Sequence, residues 1–79
     1  MEIIRVKAYD SKSIFIEQAI NSKDDILKVV ENLKNFASAL CSDLMNERLI
    51  YQREQRETEL INKINYYSSV AESLEKAYL

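Results

Sequence analysis

Glycine, proline, histidine and tryptophan are all missing from this 79-residue chain, and cysteine occurs once. Each absence closes a class of function. Phosphate-cradling P-loops and dinucleotide-binding turns are built on glycine, so neither is expected. An ordinary zinc or haem site needs His or several Cys, which one chain of this composition cannot assemble. General acid–base catalysis by His goes with it. No apolar run exceeds three residues, as in Ile14-Phe15-Ile16 and Leu49-Ile50-Tyr51. No segment is therefore expected to span a membrane or to serve as the apolar part of a secretory signal.

What is present is a balanced charge: 11 Lys and Arg against 13 Asp and Glu, net −2. A nucleic-acid binder would show a basic face, so nucleic acid is not an expected partner. Arg48, Arg53 and Arg56 are interleaved with Glu47, Glu54, Glu57 and Glu59, which reads as a solvated mixed-charge face. Cys41 follows Ala37, Ala39 and Leu40 and reads as a small core hydrophobe. Tyr67 and Tyr78 read as core or interface anchors, and Tyr66 as an exposed contact. Nothing supplies an oriented base beside a nucleophile. The expectation is a non-enzymatic protein with no catalytic residue, no metal site and no cofactor.

Along the chain, Ile4, Val6 and Ala8 alternate with Arg5, Lys7 and Tyr9, the period of an extended segment. Asp10, Ser11 and Ser13 are helix-capping types. From there Ile16, Ala19, Lys23, Ile26, Val30, Leu33, Ala37, Leu40 and Leu44 are spaced alternately by three and four, a helical seam. Ser22 followed by Asp25 is a second cap signal inside it. The seam falters at Ser42, Asp43 and Asn46, residues that end helices where glycine is absent. A second stripe runs through Leu60, Ile64, Tyr67, Ala71, Leu74 and Tyr78 after eight polar residues, Gln52 to Glu59.

The predicted fold is all-α: an antiparallel two-helix hairpin in one domain. Its parts are an extended arm at 1–10, helix one at 11–42, a turn at 43–46 and helix two at 47–79. Each helix would be about 45–50 Å long. An uninterrupted helix of about seventy residues in a coiled coil is the competing architecture. A hairpin this small buries too little to offset its ordering entropy. It is thus expected to assemble into a helical bundle as a homodimer or with another helical protein. The expected interface is Ile16, Ile26, Val30, Leu33, Phe36, Leu40, Leu60, Ile64, Tyr67, Leu74 and Tyr78.

This layout resembles the WXG (ESX-type) family of small type VII secretion proteins. Ser42-Asp43-Leu44-Met45-Asn46-Glu47 through Tyr51-Gln52 carries the likeness, with Leu44, Met45 and Asn46 standing where the family has Trp-x-Gly. Glu59–Tyr67 and Val70–Tyr78 are similar to the family's C-terminal helix. The defining Trp and Gly are absent, and the family's Tyr-x-x-x-Asp/Glu export signal is not completed after Tyr78. The resemblance implies a partner or targeting subunit that binds a sister hairpin or a larger toxin, cytoplasmic or secreted without a cleaved signal peptide. The alternative is an unrelated helical adaptor, chaperone or phage-borne inhibitor that masks a partner's surface through helix-in-groove contacts.

Overall fold

The computed structural model describes residues 2–79. Two strands come first: β1, Glu2–Lys7, and β2, Ile14–Ile20. Helix α1, Lys23–Asn46, runs into a π-helical turn at Glu47–Tyr51, and helix α2, Glu54–Tyr78, closes the chain. The strands pair antiparallel as a two-stranded sheet, with Glu2 opposite Ile20 and Val6 opposite Ile16. The fold is therefore mixed α and β, not all-α, and the expected helix over 11–42 is corrected to begin at Lys23.

The reason lies in Asp10–Ile20. Asp10-Ser11-Lys12-Ser13 closes a tight connection in which the Ala8 N–H donates to the Ser13 carbonyl at 3.0 Å. Ile14-Phe15-Ile16 is β-branched and aromatic, the composition of a strand. It offers β1 the partner that an extended arm would otherwise lack. Ile16 and Ala19, the first two positions of the expected seam, lie on β2 instead. Ser22 precedes the helix in extended backbone, although its side chain makes no capping bond. Asp24 and Asp25 sit in the first turn, where negative charge suits the helix dipole.

One face of the sheet packs on the helices. Ile4 and Val6 are buried there, whereas Ile3, Arg5 and Lys7 face outward. Register shifts between Val6 and Lys7, so that Phe15 is an extra residue of β2. This bulge redirects Phe15, whose ring lies 4.8 Å from Phe36 and 5.2 Å from Tyr67. The core continues through Ile26, Val29, Val30, Leu33 and Leu40 of α1 and Leu60, Tyr67 and Ala71 of α2. Tyrosines tie the sheet to α2. The Tyr67 hydroxyl accepts from the Tyr9 N–H at 3.0 Å, and the Tyr66 hydroxyl donates to the Lys7 carbonyl at 2.8 Å. The Tyr78 hydroxyl meets the Glu2 carboxylate. The molecule measures 46 × 22 × 15 Å. No helix among the described residues is long and apolar enough to cross a membrane.

Candidate functional site

The residues expected at a partner interface fall mostly inside the chain's own core. Ile26, Val30, Leu33, Leu40, Leu60 and Tyr67 are buried. Ile16, Phe36, Ile64, Leu74 and Tyr78 are half-buried and pack against that cluster. The sheet provides the cover: Ile4 and Val6, with Phe15 beside Phe36, supply apolar surface that a bare helix pair would have had to find in a second molecule. Cys41, expected in the core, is exposed. Tyr66, expected free, is half-buried with its hydroxyl on Lys7.

The turn is displaced as well. Leu44, Met45 and Asn46 lie within α1, Leu44 half-buried against the core and the other two exposed. The chain reverses after them, through Glu47–Tyr51 and a left-handed residue at Gln52 (φ 55°, ψ 41°). A π turn holds one residue more than an α turn and recurs at functional sites. Here the Gln52 N–H reaches back five residues to the Glu47 carbonyl, which caps the widened turn. Arg53 then enters α2 in extended backbone.

One ion pair locks this reversal. The Arg53 guanidinium grips the Glu47 carboxylate with two bonds, Nε to Oε2 at 3.0 Å and Nη2 to Oε1 at 2.8 Å. The Glu47 side chain is only 4% exposed. Hydrogen bonds from Arg53 hold its carboxyl below the ordinary carboxylate range, and partial desolvation opposes them without prevailing. The Arg53 guanidinium also lies 4.9 Å from the Tyr51 ring centroid, a cation–π contact. Arg48 pairs with Glu57 at 3.1 Å and Arg56 with Glu59 at 3.2 Å. The three arginines at this end are therefore each committed to a carboxylate, as the mixed-charge reading of this stretch expects.

Between these fixed points the turn displays apolar side chains to solvent. Leu49 is 73% exposed, Ile50 67% and Tyr51 60%, with Met45 one turn earlier at 58%. An exposed Leu alone means little, because folded proteins show much apolar surface. Four large apolar side chains gathered at one end, at a turn clamped by a half-buried bidentate ion pair, are a different matter. The sequence signal was visible in Leu49-Ile50-Tyr51, an apolar run directly before eight polar residues. Nothing in the sequence marked Glu47, Gln52 or Arg53 as its support.

Elsewhere, a shallow cleft lined by Tyr9, Asp10, Phe36, Lys63 and Tyr67 separates the strand connection from the helices. Lys63 lies 3.3 Å from Asp10 and 3.2 Å from Glu59. Those contacts raise its pKa, the Glu59 hydrogen bond contributing most. The ammonium is thus held in its charged form, which unsuits it to nucleophilic work. Comparison with protein-family models, with curated proteins and with solved structures finds no match.

Proposed function

We propose that this chain is a non-enzymatic adaptor that engages a partner protein through the apolar end formed by Met45, Leu49, Ile50 and Tyr51. The observation that carries the reading is their joint exposure on a turn fixed by Glu47 and Arg53. Preorganisation matters because a turn already held in one shape loses little entropy on binding. Tyr and Met side chains, with Arg nearby, suit the centre of a protein interface. The charges around the tip support a protein over a phosphate-bearing partner, since Arg48, Arg53 and Arg56 already have carboxylate partners.

The reading differs from a helix pair that lends its seams to a bundle. Most of each seam is used within the chain, and the proposed contact lies instead at the end of the helical hairpin. A secretion partner and a surface-masking inhibitor would both use such an end. They part on what is bound: a sister hairpin or toxin in one, an unrelated target in the other.

A photo-crosslinking residue at Ile50, compared with one at exposed Lys76 on α2, tests the proposal in the native host. The expected result is a discrete adduct from position 50 that is absent from position 76 and lost on adding Leu49→Ser. Equal adducts from both positions, or an adduct indifferent to Leu49→Ser, would reject it.

A further inference from the structure

The two edges of the sheet are not equivalent. The edge of β2 is interrupted by the Phe15 bulge, a common means of blocking further pairing. The β1 strand has no bulge residue, no proline and no glycine. Its backbone can be traced by alternation, since successive residues of an antiparallel strand point their N–H and C=O to opposite sides. The Ala8 N–H turns toward β2, to Ser13, whereas the Lys7 carbonyl turns away and receives the Tyr66 hydroxyl. Ile3, Arg5 and Lys7 therefore direct their backbone groups to the open edge. Lys7 keeps its N–H, while its carbonyl already accepts from Tyr66. Ile3 and Arg5 are left with both N–H and C=O facing outward.

Those four groups are self-complementary. We infer that a second copy of this chain pairs its β1 antiparallel with this β1, around a two-fold axis at Ile4, giving a four-stranded sheet across a homodimer. In that register Ile3 faces the partner copy's residue 5 and exchanges two hydrogen bonds with it, and the symmetric pair does the same. The N–H and C=O of Ile3 and of Arg5 are then satisfied on each strand. Sliding two residues toward Lys7 would set Arg5 against its own mate and require the carbonyl that Tyr66 holds, so charge and hydrogen bonding select the same register. The Arg5 charge does not guard the edge, because Glu17 neutralises it at 3.3 Å.

The helical layer is matched to this axis. Tyr66 touches Lys7 and Tyr78 touches Glu2, so α2 runs antiparallel beside the open edge. Twelve helical residues and five extended ones both span about 17–18 Å, so the two elements keep step. Val70 and Leu74 lie between the tyrosines and are half-buried. A two-fold axis at Ile4 brings these side chains toward their symmetry mates, continuing the apolar layer under the enlarged sheet. Isologous pairing of this kind closes at two subunits.

The inference uses residues separate from the adaptor tip, and its test separates the two. Sedimentation equilibrium of the full chain should give a species of twice the 9.3 kDa chain mass in the micromolar range. Arg5→Pro removes an N–H that makes no bond within the hairpin, and should weaken the dimer by more than about tenfold with helical circular dichroism unchanged. The register has its own signature. Ile3→Glu places a carboxylate opposite the partner copy's guanidinium and should tighten the dimer by about threefold, whereas Ile3→Lys should loosen it by a similar factor. Ile50→Ser should leave it unaltered. If Arg5→Pro unfolds the chain, the Ile3 pair decides. A monomer at all concentrations overturns the inference. So does a dimer indifferent to the Ile3 substitutions, or one abolished by Ile50→Ser.

Discussion

Glu47 is the residue on which the turn depends, and its charge makes the turn sensitive to acid. Its carboxyl titrates below the ordinary 4.5 because Arg53 donates to it. A depressed folded-state pKa means stability that is fully present above the ordinary value and lost as pH falls through it toward the folded one. Urea unfolding at successive pH values should therefore show an acid limb that flattens in Glu47→Gln. That variant should also be less stable than the parent at neutral pH. Gln52 carries the opposite kind of cost. A side chain at φ 55° is crowded, and glycine would relieve it. Gln52→Gly should raise stability by about 0.5–1 kcal/mol. Asn46→Gly, at a helical position, should lower it by several tenths of a kcal/mol. The pair of variants locates the left-handed residue by thermodynamics alone.

At the scale of elements, the helices were legible and the second strand was not. The three-and-four spacing of Ile26, Val30, Leu33, Ala37 and Leu40 marks the buried face of α1, and Leu60, Tyr67 and Ala71 mark that of α2. The same spacing extends back through Ala19 and Ile16 by coincidence. Seven residues are too few to separate period two from period 3.6 when Ile16 and Ile20, four apart, satisfy both. What decides the matter is pairing with β1 and the landing of Phe15 on Phe36 and Tyr67, contacts that local pattern does not encode. The turn was misplaced for a related reason. Ser42, Asp43 and Asn46 can stop a helix, but exposed on α1 they leave its backbone bonds intact, and the reversal waits for the Glu47–Arg53 bond across six residues. Leu33 sits where α1, α2 and the sheet converge and is fully buried. Leu33→Ala should cost about 2–5 kcal/mol in chemical denaturation.

At the scale of the whole molecule, covered and uncovered apolar surface are divided between regions. The sheet and the helix pair bury each other, and the most exposed large apolar side chains lie at the far end of the hairpin. Leu49→Ser and Ile50→Ser should accordingly change unfolding free energy by less than about 0.5 kcal/mol while removing the position-50 crosslink. Little of this division could be read from the amino-acid order. The run Leu49-Ile50-Tyr51 pointed to the tip, but the expectation of exposed seams rested on a chain without a sheet. Once Ile4 and Val6 cover the helices, most of that apolar surface lies inside the chain.

The tyrosine contacts to the first strand and the connection after it span 58, 59 and 76 residues of sequence. During synthesis the strands leave the ribosome well before their anchors on α2. The nascent hairpin must wait, unsealed and with Ile4 and Val6 uncovered, until α2 has emerged. Tethered chains stalled before Tyr66 should therefore be far more open to protease at β1 than chains released past Tyr78.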